Sequence, residues 1–308
     1  YFLQTLYGMA DLYITGQFNG VDSITAVSNG SQVMHMLTVI IVGLAMGTTV
    51  IIGKAIGGNK LDNAGRAIVN TITLFMGIAI VMTIVFLIAA KLIVLLIGVP
   101  QEAVAGTVRY LIICFIGIPF ITAYNIISSI FRGLGDSKSP LIFVAVACVV
   151  NIAGDLILVA GLHLDAAGAA IATVFAQAVS VVFALLLLFK RNLPFTIKKS
   201  DFRINEHCNR ALKIGLPLAL QECLTQISFL ALCAFINRLG LEASSGYGVA
   251  CKIVNFAMLI PSSLMQSTAS FISQNVGAGN EKRAKKTDRK STRLNSSHIP
   301  LSRMPSSA

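Results

Sequence analysis

The sequence predicts an all-α polytopic membrane protein. Two observations carry that expectation. Of 308 residues, 55% are hydrophobic and 12% charged, where a soluble domain is charged at about a quarter of its positions. The apolar residues also gather into repeated runs of about 20, the length a helix needs to cross a bilayer. A third observation gives the direction. Lys and Arg fall in alternate connections between the runs, which orients the chain across the membrane.

Eight spans are expected in order. The first, about 1–17, opens at Tyr1 inside an apolar segment with no initiator Met, so it reads as an incomplete span. The second, 31–53, ends at the Gly-rich basic turn Gly57-Gly58-Asn59-Lys60. The third and fourth are 68–97 and 107–131; the fourth contains Pro119 and is followed by Arg132. The fifth, 140–162, starts at Pro140, and the sixth is 168–189. A polar link follows, rich in Lys and Arg and containing Pro194. The seventh and eighth, 212–236 and 246–273, carry Pro217 and Pro261, each a site for a kink.

The connections at 54–66, 132–138, 190–211 and 274–287 hold most of the Lys and Arg between spans. Those at 18–30, 98–106, 163–167 and 237–245 hold only Arg238, with Asp22, Glu102, Asp165 and Glu242. The positive-inside rule places the first set in the cytoplasm. An internal repeat divides the chain at the 190–211 link. Gly57 and Gly277 are 220 residues apart, as are Gly20 and Gly240, Thr48 and Thr268, and Ala64 and Ala284. An even number of spans per repeat gives parallel repeats, which often flank a central transport site. The expected parts are an N-terminal lobe at 1–190, a link at 191–211 and a partial C-terminal lobe at 212–287.

Residues 288–308 differ in character from everything before them. They are polar and Ser-rich, and Asp288–His298 (DRKSTRLNSSH) resembles a translated sequencing adapter. The expectation is that this tail is not native, and without it the net charge falls from +11 to +8. With six spans per repeat, the sequence reads as a fragment at both ends.

Composition and motifs exclude several classes. The six cysteines (114, 148, 208, 223, 233 and 251) form no CxxC pair, and most lie inside apolar runs as small core residues. The four histidines share no ligand spacing. Residues 47–55 (GTTVIIGKA) look like a phosphate loop, but five residues separate the glycines and no Ser or Thr follows Lys54. Neither nucleotide nor nucleic acid is expected as a partner. The lipid bilayer and a small organic molecule are.

Asp155 is the most informative residue. It is the single charge in Leu141–Leu162, where a carboxylate costs about 2.5–3.5 kcal/mol on insertion scales. Such a residue usually faces a cavity or a partner and has a function. Asn151 lies one turn earlier on the same face. An amide and a carboxyl at that spacing can hold a small cation or a proton, which points to a transporter rather than an enzyme. Asp11 lies on a stripe with Gln4, Tyr7 and Thr15. The seventh span has a polar face of Gln221, Glu222, Thr225 and Ser228, and Gln266 and Ser270 are expected to face a central cavity. Lys252 is placed either at an interface or opposite Glu222.

Three stretches together carry a family resemblance: 6–20 (LYGMADLYITGQFNG) leading to 26–30, 131–140 (FRGLGDSKSP), and the paired loops 53–60 (GKAIGGNK) and 274–280 (QNVGAGN). Over residues 1–287 the chain resembles the multidrug and toxic compound extrusion (MATE) family of efflux transporters. The resemblance implies two parallel six-helix lobes, with about eight spans present here, and cation-coupled antiport in a bacterial cytoplasmic membrane. It implies no cofactor beyond a coupling ion, H⁺ or Na⁺. Asp11, Asn151, Asp155 and Thr173 are carried over as coupling residues, with Na⁺ expected at Asp11, Asn151 and Asp155. Some members use a glutamate in the seventh span, and Glu222 falls about one turn from that place. Gln4, Tyr7, Gln221, Glu222 and Gln266 are therefore the substrate-cavity candidates.

Two other readings remain open. A lipid-linked oligosaccharide flippase of the same superfamily would favour several cavity arginines, which the first-lobe spans almost lack. An intramembrane transferase would need paired Asp-rich Mg²⁺ motifs, and the chain has no DDxxD-like cluster.

Overall fold

The computed structural model describes residues 2–190, 206–237 and 241–297, and every element among them is helical. The helices are α1 (Phe2–Phe18), α2 (Val21–Gly57), α3 (Leu61–Ile97), α4 (Gln101–Ile116), α5 (Ile118–Gly133), α6 (Lys138–Asp155), α7 (Asp165–Lys190), α8 (Glu206–Asn237), α9 (Leu241–Gly277) and α10 (Glu281–Ser297). A π-helical turn over Leu156–Gly161 continues α6.

Four of these helices are long and apolar enough to cross a membrane, or five if the bent pair α4–α5 is one span. The eight expected spans thus reduce, on this measure, to four or five. At 17 residues α1 is short. The middles of α8 and α9 carry polar residues such as Gln221, Glu222, Ser263 and Gln266. Helix boundaries differ as well. The connection expected over 18–30 is mostly helix, because α2 begins at Val21. At 37 residues each, α2 and α3 are about 55 Å long, so their ends project beyond a hydrocarbon core of about 30 Å.

The span expected at 107–131 is two helices, bent by 48° about Gly117. Pro119 lies at the start of α5. Its ring nitrogen cannot donate to the carbonyl one turn back, which frees the backbone to turn there. In the expected 191–211 link, α8 already starts at Glu206, while 191–205 lie outside the described residues. α10 runs unbroken through the change of composition at 287/288 to Ser297, and 298–308 lie outside the described residues.

α2 is the central strut, packing on α1, α3, α4, α5, α8 and α9. One apolar cluster, around Val27, Leu111, Phe115, Ile118 and Val159, lies toward the side assigned as external. A second, around Ile52, Ile68, Phe131, Phe143 and Val181, lies toward the basic connections. The outer face of α3 is exposed along Ile80, Ile84, Ile88, Leu92 and Leu95. That much contiguous apolar surface suits lipid, not water.

The approach of α8 and α9 to the other helices is closest near the basic connections. A Cβ at Gly43 or Gly47 would run into the α8 backbone at Ala219 or Ala211. One at Gly57 would overlap the carbonyl of Gln274, and one at Gly277 would overlap that of Lys54. These last two contacts exchange under a shift of 220 residues, so they are related as by a two-fold axis. The local backbone repeats too. Gly58, Asn59 and Lys60 donate to the carbonyls of Lys54, Ile56 and Ala55 at 3.1, 3.0 and 2.9 Å. Ala278, Gly279 and Asn280 donate to Gln274, Val276 and Asn275 at 2.9, 3.1 and 2.8 Å. Both turns pass through positive φ, 54° at Asn59 and 75° at Gly279.

The 131–140 turn closes against the same end of α9. Asp136 caps α6, accepting from the Lys138 and Ser139 amides and, at 2.6 Å, from the Ser139 hydroxyl. The Gln274 amide donates to the Gly133 carbonyl at 3.0 Å, and the Ser270 hydroxyl donates to that of Arg132. Ser270 therefore belongs to this helix-end contact and not to the cavity expected for it.

Candidate functional site

The side chains that matter are held where α1, α6 and α7 pack together between the two apolar clusters. Along α6, Phe143 belongs to one cluster and Val159, beyond its end, to the other, with Asn151 and Asp155 between them. Along α7, Ala170 and Val181 bracket Thr173 in the same way. Small residues allow the close packing: a Cβ at Gly154 would press on Ala172 of α7.

Three expected residues are joined directly. The Asn151 amide donates to the Thr173 hydroxyl at 3.2 Å, and that hydroxyl donates to Asp11 at 3.3 Å. Thr173 thus links residues that are 162 positions apart in the chain. Asp155 completes the group, close enough to Asp11 for their charges to interact. It is 0% exposed, Asn151 1% and Asp11 6%.

The hydrogen bonding is incomplete in one chemical sense only. Both carboxylate oxygens of Asp155, one of Asp11 and the amide oxygen of Asn151 are buried without a hydrogen-bond donor. Each buried polar atom left so costs about 1–3 kcal/mol, and more when charged. The unpaired atoms of these three residues are all acceptors. Such a set is satisfied by a hard cation, or by protons shared between the carboxyls. Among the described residues no group of three or more His, Cys, Asp and Glu gathers, so a softer transition-metal centre is not formed there.

The π-helical turn starts immediately after Asp155. Its wider winding shifts the register of the residues that follow, and π turns often mark functional sites. No residue type in 156–161 announces it.

The substrate-cavity candidates fall elsewhere. α8 packs on α2, α3 and α9, and so does not bring Gln221 or Glu222 to Asp155. Gln221 is exposed, Glu222 half-buried, and the Thr225 and Ser228 hydroxyls bond back to their own helix. Gln266 is buried on α9. The side chains of Gln4, Tyr7 and Lys252 lie outside the described residues. A cavity of about 560 Å³ between α2, α8, α9 and α10, lined by Val50, Lys54, Met265 and Thr268, includes none of the expected coupling residues.

Comparison with known proteins agrees with this architecture. The MatE family model matches residues 1–157 and 217–297. The probable multidrug resistance protein YoeA of Bacillus subtilis is 27% identical over 301 residues, covering 95% of this chain and 65% of the relative. The probable multidrug resistance protein YpnP of the same organism is 28% identical over 282 residues, covering 91% and 63%. The chain thus spans a little under two thirds of the length of these relatives. A solved outward-facing multidrug resistance MATE family transporter of the MOP superfamily superposes with a TM-score of 0.85 at 24% identity, covering 95% of this chain and 65% of that one. With its apolar helices, this kinship makes the chain a multi-pass protein of the cytoplasmic membrane.

Proposed function

The chain belongs to the MatE family, and on that premise we propose that it acts as a cation-coupled secondary antiporter. Its cargo is an organic, often cationic, compound moved out of the cell, and its coupling ion is H⁺ or Na⁺. It is a transporter, not an enzyme. The observation that carries this reading is the fully buried Asp155 carboxylate, without a donor, beside Asp11 and Asn151.

In this reading Asp11, Asn151, Asp155 and Thr173 take the ion from outside. Gln4, Tyr7, Gln221, Glu222 and Gln266 face the cargo, with Glu222 supplying negative charge. The protein has two parallel six-helix lobes, with eight spans in this chain. Residues 1–190 form the first lobe, 191–211 the link and 212–287 part of the second. The 220-residue correspondence of the α2 and α9 ends supports that division. The tight contacts at those ends close the cytoplasmic side. Ion binding shifts the lobes and releases the cargo. A pH difference of one unit supplies about 1.4 kcal/mol, and 100 mV supplies about 2.3 kcal/mol per charge.

Everted vesicles carrying the full-length protein test this reading. An imposed Na⁺ or pH gradient should drive accumulation of ethidium, a fluorescent organic cation, without ATP. Accumulation that needs ATP and ignores both gradients would refute it.

A further inference from the structure

We propose that Thr15 is a ligand of the coupling cation, forming with Asp155 an outer tier of the site; this rests on the ion-coupled reading above. The starting observation is a buried hydroxyl without a partner, as at Thr48 and Thr122, but here one helical turn from Asp11. Thr38, Thr71, Thr83 and Thr107 each donate to the carbonyl four residues earlier in their own helix, at 2.7–2.9 Å. That is the ordinary resting place of a helical threonine. Thr15 is 0% exposed, yet its hydroxyl has no hydrogen-bond partner. A buried hydroxyl with nothing to bond is unfavourable unless something else occupies that place.

Helix register puts Asp155 at the level of Thr15. Thr173 touches both Asp11 and Asn151, which levels those two residues across the α1–α6 packing. In the assigned topology α1 and α6 run in the same direction, toward the outside. One turn further along α6 is Asp155, and one turn further along α1 is Thr15. Thr15 shares the face of Asp11, which looks at Thr173, and α1 also packs on the π-helical turn that follows Asp155.

The site therefore has two levels. The inner level, Asp11–Thr173–Asn151, is hydrogen-bonded. The outer level, Thr15 and Asp155, has three buried oxygens without partners. With one oxygen each from Asp11 and Asn151, five buried oxygens on these four residues lack partners. A proton needs one or two oxygens, whereas a sodium ion needs several, so a neutral hydroxyl at this position serves Na⁺. Thr15 lies on the outward side, where an arriving ion exchanges its last waters for protein oxygens.

The test is equilibrium binding of ²²Na⁺ to the purified full-length protein, read apart from transport. Thr15→Val keeps the shape and removes the oxygen. Na⁺ affinity should fall about tenfold or more, while Thr15→Ser should stay within about threefold of wild type. Ethidium binding measured without Na⁺ should be retained in both, because no ion is then present to compete with it. If Thr15→Val does not accumulate, Thr15→Ser against Thr15→Cys gives the same comparison, because a thiol is a poor ligand for a hard ion. Wild-type affinity in Thr15→Val, with binding abolished in Asp155→Asn, would overturn the role of Thr15 and leave the ion site standing. A wild-type protein that binds no Na⁺ would overturn the inference and leave proton coupling. Undiminished binding in Asp155→Asn would overturn the ion site itself.

Discussion

Asp155→Asn keeps the side-chain volume and most hydrogen-bonding capacity but removes the charge. If Asp155 takes the ion, gradient-driven efflux should fall more than tenfold, with expression and cargo binding changed much less. Asp11→Asn should behave alike. The double variant should be scarcely worse than either single one, because groups serving one ion do not add. Full additivity would separate the two carboxylates into independent roles. Efflux assays normalised to the amount of protein read the difference. Asp155 and Asn151 were legible in the sequence because a lone charge stands out in an apolar run and helical spacing joins the pair. The bridge from Thr173 to Asp11 was not, since it depends on which helices pack together. The missing back-bond at Thr15 is likewise a property of coordinates. Glu222 shows the opposite limit: the polar face of its span was legible, but not its separation from Asp155.

At the scale of elements, the contact between the α2 and α9 ends leaves no space for a side chain at Gly57, whose Cβ would meet the backbone of Gln274. Gly57→Leu should cost about 1–3 kcal/mol and hold the cytoplasmic side open. A cysteine at Ser270, hydrogen-bonded to Arg132 in the native contact, should then react faster with a maleimide added from the cytoplasmic side. Gly77→Leu is the control, because nothing lies within 4 Å of its Cβ position. Equal behaviour of the two variants would contradict the close contact. The Gly-rich loops were legible as a pair from their 220-residue spacing, though not as surfaces that touch each other. Pro119 was legible as a possible kink, yet the run around it is continuously apolar and was read as one span. The π-helical turn after Asp155 leaves no mark in residue type, because only the backbone hydrogen bonds distinguish it from an α-helix.

For the whole molecule, membership of the membrane class was legible from composition, because apolar runs of this length have few other uses. The number of helices passing as spans was harder to read, since α8 and α9 spend part of their length on polar residues. The charge alternation predicts a topology that labelling can check. A cysteine at Ser200 should react only with reagents admitted to the cytoplasm, and one at Asp165 with an impermeant external reagent. Reversal of that pattern would invert the direction assigned to ion entry. The central claim is that ion and cargo exchange through a site that needs Asp155. Its most direct test is the ion flux itself, in proteoliposomes holding the full-length protein. An ethidium gradient imposed alone should drive Na⁺ or H⁺ the opposite way, read with ²²Na⁺ and a trapped pH dye. That flux should vanish in Asp155→Asn while ethidium still binds. Ethidium crossing with no ion counterflow in the wild type, or counterflow of wild-type size in the variant, would contradict the account.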